Sequence, residues 1–476
     1  MPGKYIINKH RKDTNIDMFA AFLTDLHEIL RTDNDGLEKE KQLMNYSSNL
    51  MNRVFQSWIN WQEPQLIQSY QGKGYTVGKA VERSVQFLFG VLTYTRKSVE
   101  RNGQIIYPID ELLGIERYDR YSLRTKYALA ELSMVTSYRK ASELIEVVGN
   151  VQASKDTVMK VVHEYEKKYK EHEAYLEEYG QEGTRMVDYL YIEGDGVFVG
   201  GKDGKNKELA HFIVHEGVET NGQRKKTKNL KQFVGLGHKK TMNYLENYLY
   251  RTYNLKNTVI VTNSDGGKGY SQKTFKSLLP LVKRHEHFLD RYHISLKLEQ
   301  RVFVPELIPV FQQAINHYST KDLQCALDTL ESHAETEEQE NHVKKLRAYL
   351  RRNWKIIKPY HIRGLPGEKQ GIGIMESLHR ILTFRMKRNS KYWGKGLEAM
   401  AWLLATKRNN TLKDIFTEKW QEAFALDDRL VAELGNCPNH FFDDEREKVD
   451  SVKTYAINYQ RPSNRTKERL DWYNGK

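Results

Sequence analysis

Cysteine is almost absent from this chain: 476 residues hold two, Cys325 and Cys437, and no CxxC pair. That excludes a disulfide framework and a cysteine-rich zinc site, and it fits a reducing compartment. Long apolar runs are also missing. No segment approaches the roughly 18 uninterrupted apolar residues of a membrane helix, and mean hydropathy is −0.71. The basic start, MPGKYIINKHRKDTN, lacks the apolar stretch of a signal peptide. A cytoplasmic protein without a membrane partner is therefore expected. No internal repeat is visible. Gly200-Gly-Lys-Asp-Gly-Lys lacks the GK[ST] ending of a nucleotide loop, so no nucleotide cofactor is expected. The Asp265-Gly-Gly-Lys-Gly-Tyr segment lacks the Glu at position twelve that an EF-hand needs.

What is abundant is positive charge and aromatic mass. Lys plus Arg number 75 against 62 Asp plus Glu, a net +13, and 29 Tyr, 17 Phe and 7 Trp supply core material. The length suggests two to four domains, and the excess charge favours a polyanionic partner.

Along the chain the texture alternates. Residues 18–61 read as helical. Residues 84–95 are short, β-branched and aromatic, and Asn102-Gly103 before Ile105-Ile-Tyr-Pro-Ile is a hairpin signal, because both turn residues tolerate positive φ. Three helical pieces follow at 128–135, 138–148 and 156–165, with Gly149 as turn and Ser154 as N-cap. They fit a helix-turn-helix or, equally, a plain helical linker. Strands are expected at 189–199, 209–216, 232–236, 258–262 and 287–294, with a helix carrying Met242, Leu245 and Leu249 between the third and the fourth. That βββαβαβ-like order means a mixed sheet flanked by helices in an α+β or α/β multidomain chain. Residues 298–360 read as helical, and a further helix spans 375–387.

Two acids stand out against this texture. Asp195 interrupts a strand, where acids are disfavoured. Asp265 follows a buried apolar strand, the end at which α/β sheets place ligands. On neighbouring strands they would converge and call for a hard divalent cation. Glu376 is the candidate third acid: a helical wheel sets Ile374, Leu378, Ile381 and Leu382 on one face and Glu376, Arg380, Thr383 and Lys387 on the other. Spacing alone favours a solvated polar face without chemistry for Glu376. His285, His287, His293 and Asp290 do not share a spacing that brings three together, so zinc is disfavoured. Between 224 and 240 stand seven Lys or Arg, among them Arg224, Lys225, Lys226, Lys228 and Lys231, and no acid. This is a candidate phosphate-gripping edge. Trp393 suits either stacking on an unpaired base or core packing.

IEGDG at 192–196, NSDGG at 263–267, LDRYH at 289–293 and GIMESLHRILTFRMK at 373–387 resemble, in order, the bacterial insertion-sequence transposases of the ISLre type. That group, long carried as an uncharacterised protein family, is similar to the Mutator-like DDE superfamily. The likeness extends over RSVQFLFGVLTYTRKSVERNGQIIYPIDELLG and TSYRKASEL. It implies a ribonuclease-H-like catalytic core with Asp195, Asp265 and Glu376 as first, second and third acid, holding two Mg²⁺ or Mn²⁺ ions. It also implies a helical insertion at 297–368. His293 resembles the histidine of a [C/D]xxH signature beside the metals.

The expected domains are a helical and hairpin region at 1–115, a helix-turn-helix-like segment at 116–182 and the first part of the core at 183–296. The insertion follows, then the core helix at 369–412 and a C-terminal region at 413–476. Expected partners are double-stranded DNA, as element ends and target, and further copies of the chain on the nucleoid. The rival readings are a structure-selective nuclease on the same core and a non-catalytic DNA-binding protein derived from a transposase.

Overall fold

A computed structural model describes residues 22–221, 224–267, 269–279, 282–365, 373–387 and 392–421, without the side chains of 220–225. The chain divides into two units, Met1–Val161 and Val162–Lys476. No helix among the described residues is long and apolar enough to cross a membrane.

In the first unit, helix α1 (Gly36–Gly72) starts at Asp35, whose carboxylate accepts from the Glu38 amide, the usual way to satisfy a helix's orphan N–H groups. An antiparallel sheet follows: β1 (Thr76–Phe87), β2 (Gly90–Arg101) and β3 (Gln104–Ile106). Asn102 (φ 54°) and Gly103 (φ 78°) form the expected tight turn. The apolar run at 84–95, expected as one strand, contains a second turn, since Phe87 pairs with Gly90. Hydrophobicity hides it because the turn stays apolar, Phe87 and Phe89 stacking at 5.1 Å between centroids. Alternate residues of β2, Leu92, Tyr94 and Arg96, point inward. Beneath them Asp110 of α2 (Pro108–Leu112) accepts hydrogen bonds from Tyr94 Oη at 2.7 Å, Arg96 Nε at 2.7 Å and Arg83. Helices α3 (Leu123–Val135), α4 (Tyr138–Gly149) and the start of α5 (Lys155–Tyr179) complete the unit, with Ser154 Oγ accepting from the Thr157 amide as expected.

The second unit is built on a mixed sheet of β4 (Tyr189–Gly201), β5 (Asn206–His215), β8 (Lys231–Leu236), β9 (Val259–Ser264) and β10 (Arg284–Leu289). Their spatial order is β10-β9-β4-β5-β8. β4 runs antiparallel to β5 and β5 to β8, while β4, β9 and β10 are parallel. Between β5 and β8 stands a separate two-stranded ribbon, β6 (Val218–Asn221) with β7 (Arg224–Thr227). A short β11 (Tyr392–Trp393) pairs with the far end of β4.

One face of this sheet carries Leu190, Ile192, Phe212, Val214 and Ile260, packed against Leu245 and Leu249 of α6 (His238–Thr252) and Phe275 of α7 (Gln272–Ser277). Burial of each such side chain contributes roughly 1.5–3 kcal/mol. Gly194 lies in this layer because a Cβ there would stand 2.8 Å from the Phe212 ring. The opposite face bears Glu193 and Asp195 on β4, facing Ile213 and His211 on β5. Ile213 packs there with Met375 and Leu378 of α12 (Met375–Met386).

The strand expected at 287–294 ends at Leu289, and α8 (Arg291–Arg301) starts directly after Asp290. The aromatic and β-branched texture runs on across that boundary, which is why composition did not mark it. Helices α8, α9 (Leu307–Asn316), α10 (Thr320–Ser332) and α11 (Glu337–Ile357) share one apolar core that includes Leu298, Phe311, Leu327, Leu346 and Leu350. Helix α13 (Leu397–Arg408) packs on β8, followed by α14 (Leu412–Phe416).

Candidate active site

Asp195 sits on the middle strand of the sheet, and Asp265 lies one residue past the end of β9, its parallel neighbour. Each carboxylate is fixed by a backbone amide: Gly196 N–H donates to Asp195 Oδ1 and Gly267 N–H to Asp265 Oδ1, both at 2.7 Å. The second bond closes a turn in which Gly266 takes φ 75°. The two acids are close enough to act on each other. The Asp195 carboxyl is pushed up to about 6, first by burial, with Asp265 adding to the rise and the Gly196 amide opposing it.

Around this pair stand groups from four other elements. Asp290, between β10 and α8, accepts from His293 Nδ1–H at 2.8 Å, and this bond raises the His293 pKa. On α12 the side chain that reaches Asp195 is His379, with Nδ1 3.6 Å from Asp195 Oδ2. Behind it lies His211, its ring centroid 5.1 Å from that of His379. Burial pulls His379 down to about 4 and His211 to about 3, so both are neutral at pH 7. Tyr349 of α11 is also nearby: Asp265 and Asp290 both add to the rise of its phenol, which burial dominates.

Glu376 lies on the first turn of α12 and is exposed, as are Arg380 and Lys387. Among the described residues the Glu376 side chain makes no hydrogen bond or ion pair. Two neighbouring half-buried carboxylates suit a hard divalent cation. Among the described residues, however, no three of His, Cys, Asp and Glu are arranged to hold one. The structure thus brings together Asp195, Asp265 and His293 but leaves Glu376 on the solvent face of its helix.

The other expected contacts divide. Lys226 is exposed, whereas Lys228 lies 3.8 Å from Glu219. Lys231 turns inward and donates to the Asn409 carbonyl at 2.8 Å, its pKa lowered by burial. The side chains of Arg224 and Lys225 lie outside the described residues. Trp393 takes the packing role. It is buried, donates Nε1–H to the Met386 carbonyl at 2.8 Å, and the Arg385 guanidinium stands 4.9 Å from its ring centroid.

Sequence reasoning passed over His379, His211 and Glu193. Each had a signal, a polar residue inside an otherwise apolar face. His379 falls in the Met375-Leu378-Leu382 stripe, and His211 and Glu193 stand beside buried apolar strand neighbours, Ala210 and Phe212 for the one and Ile192 for the other.

Comparison with known proteins adds family membership. The model of an Uncharacterised protein family (UPF0236) matches residues 35–422. A UPF0236 protein in the vanSb 3′ region of Streptococcus gallolyticus is 30% identical over 394 residues, 82% of this chain and 86% of that protein. A UPF0236 protein of Caldanaerobacter subterraneus subsp. tengcongensis, whose name joins eleven labels, is 25% identical over 344 residues, 70% of this chain and 69% of that one. A chain from the cryoEM structure of a simian T-cell lymphotropic virus intasome with PP2A regulatory subunit B56 gamma is matched at 12% identity. That match covers 48% of this chain and 73% of the other, with a TM-score of 0.15, too low to argue a shared arrangement.

Proposed function

This chain belongs to the uncharacterised protein family UPF0236, and we propose that it is a DDE-type DNA transposase that cuts and joins strands at a ribonuclease-H-like core. The observation that carries the reading is the placement of Asp195 on β4 and Asp265 just past the end of its parallel neighbour β9, near enough for the Asp265 charge to shift Asp195. Three antiparallel strands extended on the β4 side by two parallel ones, with Asp195 on the first strand of this sheet in sequence, support that core type. The motif resemblance supports the same assignment. So does the joining of eleven labels in one relative's name, because a self-copying element would recur in its host.

In this reading Asp195 and Asp265 would hold Mg²⁺ or Mn²⁺, and Glu376, exposed on the first turn of α12, would turn inward to serve as third donor. When bound, two such ions activate the attacking oxygen and stabilise the leaving one. Burial raises Asp195 to about 6, so its carboxyl is protonated only at mildly acidic pH, and a bound cation would favour its ionised form. His293, held by Asp290, offers a protonatable nitrogen beside the acids. His379 restricts the Asp195 side chain from the helix side. Water is the nucleophile for nicking, and the freed 3′-hydroxyl for joining. Two element ends must be held at once, which calls for at least two copies of the chain.

The test is cleavage and joining of labelled terminal DNA. Asp195→Asn, Asp265→Asn and Glu376→Gln are each expected to lower cleavage by about 10³-fold or more, with DNA affinity largely retained. Equal loss of binding in all three would reassign the acids to folding. Cleavage without joining of pre-cut ends would favour a structure-selective nuclease. An unaltered biological role in Asp265→Ala would favour a non-catalytic DNA-binding protein.

A further inference from the structure

The proposed acids ride on three separate pieces of chain, and one buried side chain touches all three pieces. Glu193 precedes Asp195 by two residues on β4 and is 1% exposed. Its Oε2 accepts from the Gly373 amide at 3.1 Å and the Met375 amide at 3.3 Å, and its Oε1 from the Ile374 amide at 3.2 Å. These are the N–H groups at the start of α12, and Ile374 precedes Glu376 by two residues. Oε2 also meets Asn263 Nδ2 at 3.5 Å. Asn263 is the register partner of Glu193 on β9 and precedes Asp265 by two. His215 Nε2 stands 3.9 Å from Oε1 and completes the surround.

Burying a carboxylate costs several kcal/mol in desolvation. Three amide donors and the positive end of a helix dipole offset that cost, but an apolar contact would hold the helix without incurring it. What the carboxylate adds is direction, since three convergent N–H bonds fix both the height and the rotation of the first turn of α12. We infer that Glu193 is a positioning residue: it sets the first turn of α12 against β4 and β9, and so fixes where the turn that carries the exposed Glu376 stands relative to Asp195 and Asp265. The anchoring stands on the geometry alone, and only its consequence for metal binding rests on the proposed function.

Two measurements on the full chain test it. Hydrogen exchange reads the amides of 373–375 directly. Glu193→Gln keeps one acceptor but loses the charge, and is expected to reduce their protection by about ten-fold or more. Glu193→Asp keeps the charge, shortens the reach by one methylene and guards against a glutamine variant that fails to fold. It should show a smaller loss in the same amides. Mn²⁺ titration followed by electron paramagnetic resonance then reads the site. Glu193→Gln is expected to weaken Mn²⁺ binding about ten-fold, and Glu193→Gln with Glu376→Gln no further than Glu376→Gln alone. Unchanged protection at 373–375 would overturn the anchor. Reduced protection with wild-type Mn²⁺ affinity, or additive losses in the double variant, would overturn the positioning role. A wild-type chain that binds no Mn²⁺, while its amides still respond to Glu193→Gln, would defeat the transposase reading and leave the anchor in place.

Discussion

Thr262 has one hydroxyl proton and two imidazoles to share it with. His285 Nε2 and His287 Nδ1 each lie 2.8 Å from its Oγ1, so one ring accepts from the hydroxyl and the other donates to it. Burial holds both rings neutral, pulling His285 down to about 4 and His287 to about 3. The unfolded chain takes up these protons near pH 6.5, which the folded chain refuses. Stability from this source is therefore complete above that pH and is lost as pH falls below it, at about 1.4 kcal/mol per pH unit for each ring. Urea unfolding at pH 6, 5.5 and 5 should show that slope, and His287→Asn should remove about one proton's share of it. A variant with the wild-type slope would show that His287 titrates normally in the fold. The same residue scale explains what was legible. Asp195 and Asp265 were readable because an acid disturbs an apolar run. Glu193 and His379 disturb theirs equally, but their partners come from α12 and β4, some 180 residues apart in sequence, and no local spacing encodes that pairing.

Elements were readable where a chemical rule forces one backbone geometry. Asn102 and Gly103 both take positive φ, the two-residue turn whose twist matches the strands it joins. Gly103→Ala should cost about 1–2 kcal/mol through its left-handed φ, seen as a lower melting temperature. Gly36→Ala, at a helix start with open space around it, should be neutral or slightly stabilising. Equal melting temperatures for the two variants would mean the turn geometry differs from that described. The Leu88-Phe89 turn and the change from strand to helix at Asp290 escaped the sequence for the opposite reason. At both places apolar or aromatic residues continue through the break, so composition does not change where direction does. In α12 the helical period placed Glu376, Arg380 and Lys387 outward, as found. Period alone did not show that His379, three residues on from Glu376, faces the sheet.

At the scale of the whole molecule the net charge of +13 becomes a question of which cations are free to meet phosphate. The run from 224 to 240 looked uniform in sequence, yet the fold uses its members differently. Lys231 is half-buried and spends its ammonium on the Asn409 carbonyl, and Lys228 faces Glu219. Arg380 on the helix that carries Glu376, and Lys387 at its C-terminal cap, are exposed. If DNA is the partner, affinity should fall by about 10³-fold or more between 50 and 200 mM salt, since each neutralised phosphate releases a condensed counterion. The slope of log affinity against log salt then counts the lysines and arginines engaged. Arg380→Ala and Lys387→Ala should each flatten it by about one unit. Lys231→Ala should leave the slope unchanged and show itself instead as a loss of stability, because it removes a donor to the Asn409 carbonyl. A slope that responds to Lys231 and ignores Arg380 and Lys387 would place the phosphate track along β8 and away from the helix, and would separate DNA binding from the face that presents Glu376.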